Sequence, residues 1–183
     1  MPKSALLLMD VQQNIVGRVS DPELVPRMAR AVAAARDAGV PVMHVVVGFR
    51  AGHPEINPAN RSFGALPPGA FGPGDPGAAI DPAVAPRDGE TVVVKKRVSA
   101  FAGSDLEMLL RAAGIDHLVL SGISTSGVVL STVRQAADLD YRLTVLSDAC
   151  FDPDPETHRF LTERLFPRQA DVTTIGDWAK TLG

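Results

Sequence analysis

The stretch His117–Ala149, HLVLSGISTSGVVLSTVRQAADLDYRLTVLSDA, decides the fold. It opens with an apolar run, passes through a Gly/Ser/Thr loop, continues with a helical segment, and ends in a second apolar run. Continuous apolar runs are typical of strands buried on both faces, and strand–loop–helix–strand order predicts a crossover between parallel strands. The loop and the helix start then fall at the mouth of the sheet, where α/β proteins bind ligands. Yet the loop leads into Val128, which is chemically inert, and the lone cysteine, Cys150, lies beyond the segment.

The same alternation extends outward in both directions. Ala5–Met9 is a buried-strand signal that stops at Asp10. Asp21-Pro22 predicts a helix running to Ala38, with Pro22 at its first position and Gly39 past its end. Pro41–Val47 and Thr91–Val94 read as strands, and Ser104-Asp105-Leu106-Glu107 as a capping box opening a helix that Gly114 stops. His117–Leu120, Arg142–Leu146 and Asp171–Thr174 complete six strands, with helices over Gly127–Leu139 and Pro155–Leu165 and a short one near Trp178. The class is α/β: a six-stranded, mostly parallel sheet with helices on both faces, which 183 residues can build as one domain, 1–183.

Residues 48–90 depart from this pattern. They hold eight of the 15 prolines and eight of the 16 glycines, so regular structure is not expected there. A connection that long in a compact domain is usually a lid, a subunit contact or a disordered loop. Its apolar points, Ile56, Phe63, Leu66, Phe71 and Ile80, favour packing against something.

Composition and motifs exclude several functions. A net charge of −3 gives no reason to expect nucleic acid or an acidic membrane as partner. The N-terminal apolar run is too short for a signal peptide, and a single cysteine fits a reducing cytoplasm. The turn Asp10-Val11-Gln12-Gln13 has no glycine, so the dinucleotide fingerprint is missing; neither a Walker A lysine motif nor a Gly-x-Ser-x-Gly elbow occurs. The four histidines are scattered without acidic residues at metal-ligand spacing, so neither metal nor cofactor is expected.

Two charged residues end strands: Asp10 after the first and Lys95 after the third. Each alone fits a cap or a solvated edge, but opposite charges pointing into one crevice tune each other's pKa. Ser124, Thr125 and Ser126 can cap the following helix, shape a loop whose N–H groups face a substrate oxygen, or do both. Asp148 reads as a brace for the adjacent turn, and Cys150 as buried and inert.

Four pieces, taken in order, resemble the isochorismatase-like hydrolases, a superfamily that includes nicotinamidases and N-carbamoylsarcosine amidases. Leu8-Met9-Asp10-Val11-Gln12 resembles the opening aspartate motif, and Lys95-Lys96-Arg97-Val98-Ser99-Ala100-Phe101 is similar to the family's Lys-x-Arg-x-Ser-Ala-Phe. Gly122-Ile123-Ser124-Thr125 with Val129, Thr132 and Tyr141 resembles the nucleophile-loop signature, and Ser147-Asp148-Ala149 the closing Asp-Ala. The resemblance implies a Rossmann-like three-layer fold. It also implies that Asp10 and Lys95 are catalytic and that Gln12, Phe101, Thr125, Ser126, Gly127 and Val128 contact a small-molecule substrate. Homo-oligomers are common in this family, so one is expected here.

In the amidase branches the residue three after the loop threonine is the nucleophilic cysteine. Here Val128 stands at that position, and it has neither a lone pair nor an acidic proton. The nicotinamidase metal ligands are likewise absent from Gly48–His53. Isochorismatases proper lack the cysteine and hydrolyse a vinyl ether without a covalent intermediate, which needs a carboxylic acid such as Asp10 with a raised pKa. Lys96 and Val98 replace residues usually aromatic in that branch, so a different or smaller substrate is expected. Two readings stay open: a cysteine-independent hydrolase using Asp10 and Lys95, and a non-catalytic small-molecule binder or oligomeric pseudoenzyme of the same fold.

Overall fold

A computed structural model describes residues 3–182. Six strands form one sheet: β1 Ser4–Met9, β2 Val42–Val47, β3 Thr91–Lys95, β4 His117–Ile123, β5 Arg142–Phe151 and β6 Asp171–Thr173. Their order is β3-β2-β1-β4-β5-β6 and every neighbouring pair is parallel. The chain builds outward from β1 in one direction, then returns to β4 and builds outward in the other. The carboxyl ends of β1 and β4 therefore flank the switch point, the crevice where doubly wound sheets hold ligands.

Alternate residues of each strand face opposite layers. Leu6 and Leu8 of β1, Val119 of β4 and Leu146 of β5 pack with α2 (Leu24–Asp37) and α6 (Ile175–Lys180) through Met28, Val32 and Trp178. Leu7, Met9, Val45, Leu120 and Val145 face the opposite layer, built from α3 (Leu106–Ala112), α4 (Leu130–Asp138) and the chain around Leu161 and Phe166. Two short helices, α1 (Gln13–Val16) and α5 (Pro155–Phe160), follow β1 and β5.

The structure revises the sequence reading at several boundaries. α2 starts at Leu24, not at Pro22, because the Asp21 carboxylate accepts from the Glu23 N–H and holds Pro22 in a turn ahead of the helix. The capping box at Ser104 does not form. Ser104 Oγ accepts from the Leu106 N–H and donates to the Ala100 carbonyl. Gly114 does stop α3: its φ of 65° lets Ile115 N–H reach the Leu110 carbonyl.

β5 runs five residues past Leu146, through a register shift in its pairing with β4, so that Cys150 lies opposite Gly122. β3 is an edge strand and is not buried on both faces: Val92 and Val94 are each 42% exposed.

The 48–90 connection is ordered as successive turns with short 3-10 helices at Pro76–Ala78 and Pro82–Val84. It is pinned to the end of β1. Gln12 pairs with Ile80 in an antiparallel bridge, and the Asp81 N–H donates to the Val11 carbonyl. No helix among the described residues is long and apolar enough to cross a membrane.

Candidate active site

Asp10 follows directly on β1 and adopts a φ of 61°. This left-handed backbone is uncommon outside glycine, asparagine and aspartate, and such conformations concentrate at functional sites. The turn is held by the Asp10 N–H, which donates to the Val45 carbonyl of β2. It aims the carboxylate at the end of β3, where Lys95 is 2% exposed. Lys95 Nζ lies 3.0 Å from Asp10 Oδ2 and donates to the Arg97 carbonyl at 3.0 Å. A charge this deeply buried needs such partners.

The other carboxylate oxygen, Asp10 Oδ1, is buried and has no hydrogen-bond partner. Burial pushes the Asp10 pKa up to about 6, and it outweighs the opposing pull of Lys95. Asp10 is thus a carboxyl that exchanges a proton near neutrality, with one oxygen anchored and the other free. That is the equipment of a general acid or base.

The turn after β4 faces the same end of the sheet. Ser124 is its cap, with Oγ accepting from the Gly127 N–H at 3.1 Å. The Ser126 N–H donates to Asp152 Oδ2 at 2.7 Å, while Thr125 Oγ1 and His158 Nδ1 share a hydrogen bond of 2.8 Å. Gly127 breaks the helical geometry with φ −95° and ψ −105°. Val128 is 2% exposed and belongs to the same apolar cluster as Phe101 and Val129. Thr132 Oγ1 accepts from the Ala100 N–H, tying the start of α4 to the turn that follows Lys95.

Of the expected site residues, the structure joins Asp10 to Lys95 and buries Val128 and Phe101 in one apolar cluster. Gln12 is occupied differently. Both its amide protons are taken, by the Val47 and Ala78 carbonyls, and its oxygen accepts from the Val47 N–H. It staples β1 to β2 and to the long connection. Asp148 braces as expected, its carboxylate accepting from Ile175 N–H at the start of α6. Cys150 is buried, and burial pushes its thiol up to about 12, far from a reactive thiolate. Arg97, Asp152 and His158 carry contacts that the sequence reading did not assign. Only Arg97 had a signal, its place in the Lys-x-Arg motif.

The isochorismatase domain family model matches residues 4–177. The chain belongs to the isochorismatase family. Among its relatives, the isochorismatase family protein YecD of Escherichia coli O157:H7 is 33% identical, the alignment covering 98% of this chain and 96% of that one. The maleamate amidohydrolase of Pseudomonas putida is 31% identical over 98% of this chain and 87% of its own length. An isochorismatase family protein of Burkholderia thailandensis superposes with a TM-score of 0.88 at 29% identity, covering 100% of this chain and 96% of the other. The isochorismatase-family member described here is therefore related to amidohydrolases and shares the family's three-layer α/β architecture.

Proposed function

We propose that this chain hydrolyses a small organic substrate without a covalent cysteine intermediate, with Asp10 as general acid and Lys95 as its electrostatic partner. The observation that carries this reading is the buried Asp10–Lys95 pair with one free carboxylate oxygen. For a vinyl ether, protonated Asp10 gives its proton to the enol-ether carbon, leaving an oxocarbenium ion and the Asp10 carboxylate. Water adds to the cation and returns a proton, and the hemiketal collapses to a ketone and an alcohol. Lys95 holds the carboxylate in place and offers positive charge to a substrate carboxylate. The Ser126 and Gly127 N–H groups of the neighbouring turn are already taken, by Asp152 Oδ2 and Ser124 Oγ, and offer no donor to substrate oxygen.

Isochorismate as the vinyl ether and maleamate as the amide separate the two chemistries. Turnover of the first, reduced by Asp10→Asn at least about 100-fold, supports the proposal, since general acid catalysis contributes about 10²–10⁴. Equal turnover by the two proteins removes Asp10 from the mechanism. The pH profile has a defined sign. An acid with a pKa of about 6 is protonated below that value, so kcat/KM is level below it and falls about tenfold per pH unit above it. A rate rising through the same range assigns Asp10 as a base. Val128, packed in the core and without chemistry, favours a second reading as a non-catalytic binder of the same fold. Saturable small-molecule binding with no product across both substrates selects that reading.

A further inference from the structure

One side chain fastens the long connection to the Lys95 turn. The Arg97 guanidinium donates from Nη2 to the Glu55 carbonyl at 2.7 Å and from Nη1 to the Lys96 carbonyl at 2.6 Å, and it sits 6.0 Å from the centroid of Phe63. Glu55 is itself held in a closed turn: its carboxylate accepts from the Arg50 N–H and from Arg50 Nη1. Phe63 packs on Phe49 with ring centroids 5.7 Å apart, and Phe49 on His53 at 5.3 Å. Arg97 therefore grips two points of one packed segment, residues 49–66. No carboxylate pairs with it among the described residues. Its fork is matched to main-chain carbonyls, which is a geometric use of arginine that a lysine cannot copy.

The other end of Arg97 is in the site. Its carbonyl accepts from Lys95 Nζ, and Asp10 is the ammonium's other partner. Any movement of the Arg97 backbone shifts one of the two groups that hold Lys95 opposite Asp10. The flanking turn is firm elsewhere: the Lys96 N–H donates to the Ala102 carbonyl, Lys96 Nζ to the Gly48 carbonyl, and the Ala100 N–H to Thr132. Arg97 is where this firm turn meets the Pro/Gly-rich connection.

We propose that Arg97 is a positioning residue that latches the 49–66 segment to the turn after β3 and couples that contact to the placement of Lys95 against Asp10. The proposal rests on reading Asp10 and Lys95 as the reacting pair. With the latch closed, Lys95 keeps both acceptors. With it open, the Arg97 carbonyl shifts and Lys95 is no longer held against Asp10. Loop closure completes a catalytic constellation in this way in many enzymes.

Two measurements that need no turnover test it together. The Asp10 carboxyl is titrated by carbon-13 NMR, assigned by its loss in Asp10→Asn, and amide hydrogen exchange is followed over residues 49–66. In Arg97→Ala, exchange over the segment rises about tenfold or more. The Asp10 midpoint rises, because a loosened Lys95 no longer favours the carboxylate while the carboxyl stays buried. Arg97→Lys, which keeps the charge without the fork, moves both in the same direction. An Asp10 midpoint unchanged in folded Arg97→Ala overturns the proposal, whether or not exchange rises, since a purely structural role leaves that midpoint in place. Should Arg97→Ala fail to fold, Glu55→Gln loosens the same turn from the far side. It must speed exchange around residues 50–56 and raise the midpoint, and no change in either overturns the proposal. A protein that turns over no substrate still gives both readouts, so failure of the hydrolase reading and failure of the latch are told apart.

Discussion

Asp10 and Cys150 show how one physical cause separates a usable group from an unusable one. Burial raises both pKa values, but Asp10 reaches about 6 while the Cys150 thiol reaches about 12. The carboxyl can trade its proton near neutrality; the thiol stays protonated at any physiological pH. Cys150→Ala is therefore expected to change any hydrolytic rate less than about twofold, because only a thiolate is a competent nucleophile. The native thiol should also react with Ellman's reagent only after denaturation, and fast labelling of the folded protein counts against this view. At this scale the sequence was informative where charge met a strand end, as at Asp10 and Lys95. It was silent where a side chain serves a main-chain partner far along the chain. Gln12 on the Val47 and Ala78 carbonyls and Asp152 on the Ser126 N–H leave no residue-type pattern to read, and the motif that contains Arg97 does not name its Glu55 carbonyl partner.

Among the elements, the contact between β1 and β4 is the tightest constraint on the site. A Cβ built on Gly122 would lie 2.8 Å from the Met9 carbonyl oxygen and 2.9 Å from Met9 Cβ, immediately before Asp10. Gly122→Ala must push the two central strands apart or twist them, at a cost of about 1–3 kcal/mol typical of overpacking. Its midpoint in urea should drop and the Asp10 titration should shift with it; wild-type values for both would show that the strands have slack. The strands were readable because they are continuous apolar runs, and the helix stops because Gly39 and Gly114 adopt φ of 68° and 65°. The second half of β5 was hidden by Ser147-Asp148, polar residues that belong to the register shift and turn toward β6 and α6. The supposed capping box failed because Ser104 has another partner in Ala100. The turns of 48–90 were recognisable as irregular, but their course depends on carbonyl contacts that composition does not encode.

For the molecule as a whole, two carboxylates, buried Asp10 and half-buried Glu90, set opposing pH dependences. Glu90 accepts from Arg36 Nε and Nη2, from the Arg87 N–H, and interacts with His44 Nε2, so it joins α2, β2 and the end of the long connection. The Arg36 hydrogen bonds, foremost, hold its pKa down to about 2 against a model-peptide 4.5. A depressed carboxylate pKa gives stability that is fully present above the unfolded value and lost as pH falls from about 4.5 through about 2. Glu90→Gln is expected to lower unfolding free energy at pH 7 by about 1.5–3 kcal/mol, the range for hydrogen bonds to a charged group. The deficit should shrink toward pH 2.5 in urea titrations; a constant deficit would assign Glu90 a packing role. Asp10 works the other way. Its folded pKa is raised, so its contribution is full below 3.8 and is lost as pH climbs through about 6.

The strand order carries one more consequence, for synthesis. β1 leaves the ribosome long before β4, but the two are the central strands, and the Ser4–Met9 register is completed only by His117–Gly122. Until then one of its edges has no native partner, and the apolar side chains beside it lack those of β4 and β5. Long-range parallel pairing of this kind is slow and exposes strand edges during folding. A nascent chain halted before β4 would present Ala5–Met9 to chaperones or to other chains, and Asp10, at the tip of that waiting strand, would take up its final setting only when the second half of the sheet closes upon it.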